Sequence, residues 1–148
     1  MPRRATSPSN TGDIIEAKKD AYRADLPPPD PDWPVDVRLL ASYLHAHLFE
    51  VGLTVGQAKR ECGAYDHNIC GRFDHYVGAG PQDYLLTHRF ALAKRLLRHD
   101  ELTVTQIAFA VGYGSPSGFS TTFGRWEGST PTEFREHRER CEETVEER

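Results

Sequence analysis

The chain has 148 residues, a formal net charge of −4, 38% hydrophobic residues and 27% charged residues. That leaves room for one domain, or two very small ones, around a modest core. No apolar run approaches the ~20 residues of a membrane span, and "MPRRATSPSNTGD" at the start lacks the apolar stretch of a secretory signal.

Charge is unevenly spread. Residues 1–33 hold five Lys/Arg against six Asp/Glu, residues 34–140 twelve of each, and residues 141–148 one Arg against four Glu. A neutral body withholds the cheapest support for a nucleic-acid partner without excluding one. Cys62, Cys70 and Cys141 are odd in number and form no CxxC pair, so they read as reduced thiols in a cytoplasmic protein. HExxH, GxSxG, P-loop and GxGxxG motifs are all missing from the sequence. The expectation is therefore a protein that is not an enzyme and needs no cofactor.

In chain order, residues 1–32 read as a disordered or weakly helical tail. Ile14–Asp25 has the length of a transient helix, and "LPPPDPDWP" acts as a stiff extended spacer. The body starts at Trp33. Val35, Leu39, Leu40, Tyr43, Leu44 and Leu48 fall at helical spacing and predict a helix over Val35–Glu50. Thr54 suits the N-cap of a helix Val55–Cys62, and Asp66 that of a helix Asp66–Val77. Pro81 suits the first turn of a long helix to about His99, with Tyr84, Leu85, Phe90, Ala93, Leu96 and Leu97 as its apolar positions. Thr103 precedes a helix Val104–Val111, Gly112 and Gly114 form a turn, and a sixth helix covers Pro116–Glu127. Thr130-Pro131 opens a last helix to about Arg140, followed by an acidic tail at 141–148. The fold class is all-α, with about seven helices.

The most informative pattern is an internal repeat. Thr54, Val55, Gln57 and Gly63 match Thr103, Val104, Gln106 and Gly112 at a shift of 49. Phe73, Gly78, Pro81 and Tyr84 then match Phe123, Gly128, Pro131 and Phe134 at a shift of 50, so the second copy has one extra residue in its turn. The body thus contains two helix-turn-helix units, at 54–77 and 103–127, bridged by a linker helix at 81–99. Ala58, Cys62, Ile69 and Phe73 are expected to pack the first unit, and Ile107, Val111, Phe119 and Phe123 the second.

The stretch "QIAFAVGYGSPSGFSTTFGRWEGSTPTEFR" resembles the signature of AraC/XylS-type transcriptional regulators. It carries Ile107-Ala108, Gly112-Tyr113, Ser115, Phe119, Phe123, Gly128, Thr130-Pro131, Phe134 and Arg135. "GAGPQDYLLTHRFALAKRLL" resembles the family's linker helix and the turn before it. The resemblance spans about Val35–Arg138. It implies two helix-turn-helix subdomains on one linker helix, each placing its second helix in the major groove of double-stranded DNA. It also implies a monomer on DNA. The neutral charge of residues 34–140 and the acid at Asp74 leave an alternative, a degenerate helix-turn-helix module that docks RNA polymerase or another regulator with weak or no DNA binding of its own. The chain looks like the minority of the family without an effector domain.

The resemblance places base contacts on the outward positions of the second helices. In the first unit these are His67, Cys70, Gly71, Asp74 and His75. In the second they are Ser117, Gly118, Ser120, Thr121, Gly124 and Arg125. His67, Cys70, Gly71, His75, Ser117, Ser120, Thr121 and Arg125 are the expected DNA-binding residues. Asp74 would meet phosphate with the wrong sign. Arg72, Lys94, Arg95, Arg98, Arg125, Arg135 and Arg138 are candidates for phosphate contact, as are the helix starts at Thr54 and Thr103. Arg89 and Arg135 match arginines that the family uses mostly to hold helices together. Lys59 and Arg60 read as a solvated face. The spacing of His67, Cys70, Asp74 and His75 also allows a zinc site on one helix face, but helix-borne metal motifs usually need a ligand from another element. No metal is therefore expected.

Overall fold

The computed structural model describes residues 7–64 and 66–137, with side chains from Thr11 onward. The expected end of the last helix, Arg138, Cys141 and the acidic stretch 141–148 lie outside the described residues. All regular structure among the described residues is helical. The order is α1 (Ser7–Asp25), α2 (Val35–His47), α3 (Val55–Cys62), α4 (Ile69–Val77), α5 (Pro81–Leu96), α6 (Val104–Ala110) and α7 (Pro116–Glu127), with α8 at residues 131–137.

The repeated Thr-Val-x-Gln is a helix-start signal in both copies. Thr54 Oγ1 accepts the Gln57 backbone N–H at 3.0 Å, and Thr103 Oγ1 accepts that of Gln106 at 3.1 Å. The Gln106 side chain returns the bond by accepting the Thr103 N–H at 2.8 Å, closing a capping box. Thr130 and Glu133 form the same reciprocal pair at the start of α8. Ser115 Oγ accepts the Gly118 N–H at 3.1 Å and caps α7. Each cap satisfies donors that the first helical turn leaves unpaired.

Helix α2 packs on α3 and α4, α6 packs on α7, and α5 touches both units through α4 and α6. Leu40 and Leu44 of α2 are fully buried, as are Ala58, Ile69 and Phe73 of the first unit. In the second, Phe90 of α5 meets Phe123 edge-on at 5.5 Å and Phe119 at 6.1 Å, and Phe123 meets Phe134 of α8 at 5.9 Å. Burying each such ring is worth roughly 1.5–3 kcal/mol. Of the eight residues expected to pack the two units, seven are buried and Cys62 is half-buried.

Two buried or half-buried arginines tie the ends of helices together. Arg89 Nε donates to the Leu48 carbonyl at 2.8 Å and Nη2 to that of Glu50 at 2.9 Å. Arg135 Nε donates to the Leu97 carbonyl at 2.9 Å, while its Nη2 reaches those of His99 and Leu102. Both guanidinium groups satisfy carbonyls that helix C-termini leave open.

Several boundaries differ from the sequence expectation. Helix α2 ends at His47 rather than Glu50, and α5 at Leu96 rather than His99. Asp66 does not begin α4. Its carboxylate accepts the Asn68 N–H at 2.9 Å, forming a local turn, and the helix starts at Ile69. A short polar side chain bonding two residues onward offers the backbone an alternative to helix.

The segment before the spacer carries the 19-residue α1, which packs on α5. Tyr22 is buried there. Its hydroxyl lies 2.6 Å from His88 Nδ1, and its ring meets Phe49 edge-on at 5.8 Å. Ile14, Ile15 and Leu26 are partly buried against the same core. Tertiary contact supplies what an isolated helix of this composition lacks.

Candidate nucleic-acid interface

The first unit presents Cys70, Gly71, Asp74 and His75 on the exposed side of α4. His67 is exposed too, but it sits in the turn before α4 rather than on the helix. Ile69 and Phe73 occupy the opposite, buried side. In the second unit, Ser117, Thr121 and Arg125 are exposed one turn apart along α7. Gly118, Ser120 and Gly124 flank them and are half-buried, while Phe119 and Phe123 are buried. Each second helix therefore has an apolar side in the core and a polar side facing outward.

The phosphate candidates divide by partner. Arg72 is held by two carboxylates: both of its Nη atoms donate to Asp36, and Nη1 also reaches Asp66 at 3.1 Å. Its pKa rises chiefly through the Asp36 bond. Asp66 is held below the ordinary carboxylate range, first by the Asn68 N–H and then also by Arg72. The pair fastens α4 to the first turn of α2. Lys94 Nζ lies 3.3 Å from Glu127 at the end of α7. The Arg95 guanidinium sits over the Tyr22 ring at 4.8 Å. Arg98 and Arg125 are exposed and make no ion pair among the described residues. The Thr54 and Thr103 hydroxyls are engaged in capping.

Asp36, Glu127 and Tyr22, which no local motif marks, each engage a candidate cation. Pairings across 36, 33 and 73 positions carry no local sequence signal. Among the described residues, no group of three or more His, Cys, Asp or Glu is placed to share a metal ion. No helix among them is long and apolar enough to cross a membrane.

Two capped two-helix units joined by one helix, each with a polar outer side on its second helix, define the class of the fold. A family model described as a helix-turn-helix domain matches residues 60–137. A putative AraC-like transcription regulator of Streptomyces lividans is 44% identical over 69 residues, covering 47% of this chain and 23% of that protein. The transcriptional activator RhaS of Escherichia fergusonii is 42% identical over 64 residues, 43% of this chain and 23% of that protein. The chain thus spans about a quarter of the length of these curated relatives. Among solved structures, the DNA-binding domain of the global transcriptional factor AdpA, in complex with a target DNA, superposes with a TM-score of 0.58 at 26% identity. It covers 66% of this chain and 90% of that one. The C-terminal domain of the response regulator AraT from Geobacillus stearothermophilus shares the fold, with a TM-score of 0.65 at 24% identity over 72% of this chain and 88% of its own.

The chain belongs to the AraC/XylS-type helix-turn-helix family. That family comprises DNA-binding transcription regulators and is not a class of enzymes.

Proposed function

We propose that this chain is a sequence-specific DNA-binding transcription regulator that reads two successive major-groove segments, one with α4 and one with α7. One observation carries the reading: the same Thr-capped unit occurs twice, on either side of α5, with the outer side of its second helix exposed and polar each time. A major groove admits one helix, and adjacent turns on one face of a duplex lie ~34 Å apart. The 16-residue α5 is about 24 Å long, a bridge of suitable scale. A monomer then suffices, since one chain carries both reading helices. Arg98 and Arg125 are the cations best placed for phosphate. Cytoplasmic double-stranded DNA is the partner, with RNA polymerase or another regulator recruited alongside.

Selection of binding sites from random DNA, read by sequencing at two salt concentrations, tests this. The expected result is a two-part motif whose halves lie about 10 base pairs apart. A single short motif would remove one of the reading helices.

A second reading, a helix-turn-helix module docked on another protein, is favoured by the commitment of Arg72 to Asp36 and Asp66 and by the exposed carboxylate of Asp74. It predicts that the wild-type chain selects no sequence even at low salt, while the Gly71→Arg, Asp74→Lys double variant does.

A further inference from the structure

We infer that Asp74 is a specificity-determining residue that reads the amino group of a cytosine in the major groove. This rests on the proposed DNA reading of α4 and names what that helix recognises.

Asp74 is exposed on α4 and has no hydrogen-bond or ion-pair partner for its carboxylate among the described residues. The nearest cationic side chain in sequence, Arg72, is turned to Asp36 and Asp66 and cannot neutralise it there. Among the described residues, the fold therefore makes no use of this carboxylate. The positions one turn away on the same side are small: Cys70 and Gly71 before it, and Gly78 after it. Asp74 consequently stands proud of its surroundings.

Gly71 strengthens the point. A Cβ there would meet nothing within 4 Å, and its backbone is ordinary helix. Packing does not ask for glycine, although glycine within a helix costs roughly 1 kcal/mol against alanine. What the missing side chain does provide is a low surface beside Asp74, over which the rim of a groove can approach. Gly118 differs, because a Cβ there would crowd the capping Ser115 Oγ at 3.1 Å.

A carboxylate only accepts hydrogen bonds. In the major groove, cytosine offers the N4 amino donor, while adenine sets its N6 donor beside the N7 acceptor and guanine shows two acceptors. A carboxylate therefore favours cytosine. The same charge repels phosphate whatever the sequence, and only a cytosine placed at Asp74 offsets that cost, so Asp74 trades strength for discrimination.

The test starts from the sequence selected by the wild-type chain. All four base pairs are placed at each position of the half-site assigned to α4, and binding of wild type, Asp74→Asn and Asp74→Ala is compared, with circular dichroism to confirm folding. At one position, wild type should prefer cytosine about tenfold or more. Replacing that cytosine with 2-pyrimidinone, which lacks the amino group, should weaken wild type by a similar factor. Both variants should bind non-selected DNA more tightly. Asp74→Ala should lose the preference at that position, and Asp74→Asn, which keeps one acceptor oxygen beside a new amide donor, should shift it toward adenine. A gain in affinity equal at all four bases, or no effect of 2-pyrimidinone on wild type, would overturn the inference while leaving DNA binding intact. Failure of wild type to bind any sequence would overturn the DNA reading and this assignment with it.

Discussion

The Arg89 guanidinium lies against Gly112, donating from Nη1 to its carbonyl at 3.3 Å, with no space between them for a side chain. A Cβ on Gly112 would lie 2.7 Å from the guanidinium carbon and 3.0 Å from the Glu50 carbonyl oxygen, and the residue has a φ of +106°. The contact joins the end of α2 to the turn of the second unit through a side chain of α5. Gly112→Ala should therefore cost about 2–4 kcal/mol, combining left-handed strain with overpacking. Arg89→Lys keeps the charge but loses the fork, leaving buried carbonyls short of donors, and should cost roughly 3 kcal/mol. Urea denaturation measures both. Values within about 0.5 kcal/mol of wild type, the usual range for a plain surface change, would contradict the packing of Arg89 against Gly112.

Acid should loosen the junction of α1, α2 and α5. Burial, with His45 nearby, pushes the His88 pKa down to about 4, and burial also lowers that of His45. In the unfolded chain both imidazoles titrate near the ordinary 6.5. Between pH 6.5 and 4 the unfolded state thus takes up protons that the folded state refuses, and stability falls as pH falls. Above about 6.5 both states hold neutral imidazoles and this contribution is complete. The melting temperature should drop from pH 7.5 to 5, and His88→Gln should flatten that drop. An unchanged slope in the variant would show that other groups carry the acid sensitivity.

The sequence revealed the duplicated units because glycine, threonine and aromatic residues mark helix ends and cores locally. Helices α3 and α7 begin and end where the pattern puts them, and the buried faces follow the 3.6-residue period. Tertiary pairings were not legible. Asp36 looks like an ordinary first-turn acid until the fold brings it to Arg72, 36 positions away. Helix α1 was faint because its contact stripe is sparse: Ile14, Ile15, Tyr22 and Leu26 stand among Lys, Glu and Asp. The displaced start of α4 came from Asp66, whose side chain favours a turn as much as a cap.

Tyr22 should govern whether α1 stays on α5. Its ring is buried between Phe49 and the Arg95 guanidinium, and its hydroxyl is paired with His88. Tyr22→Ala removes all three contacts. Hydrogen exchange in α1 should become fast while that in α6 and α7 is unchanged, because the ring and hydroxyl of Tyr22 meet Phe49, His88 and Arg95 rather than α6 or α7. Tyr22→Phe keeps the ring and should retain most of the protection. Equal protection of α1 in wild type and Tyr22→Ala would mean that Ile14, Ile15 and Leu26 hold the helix without it.

Ion pairing within the fold predicts which arginines bear on DNA affinity. A cation that neutralises one phosphate adds ~0.9 to the slope of log affinity against log salt. Arg125 and Arg98 are exposed and make no ion pair among the described residues, so Arg125→Ala and Arg98→Ala should each reduce that slope by about one. Between 50 and 200 mM salt, each variant should then lose roughly threefold less affinity than wild type does. Arg72→Ala should leave the slope nearly unchanged, because Asp36 and Asp66 already neutralise that guanidinium. Its effect should appear instead in stability, as α4 loses its tie to α2. A fluorescence-anisotropy salt series on the selected site separates the cases. If Arg72→Ala lowered the slope as much as Arg125→Ala, Arg72 would have to leave its carboxylates for phosphate, and the first turn of α2 would then have to give way on binding.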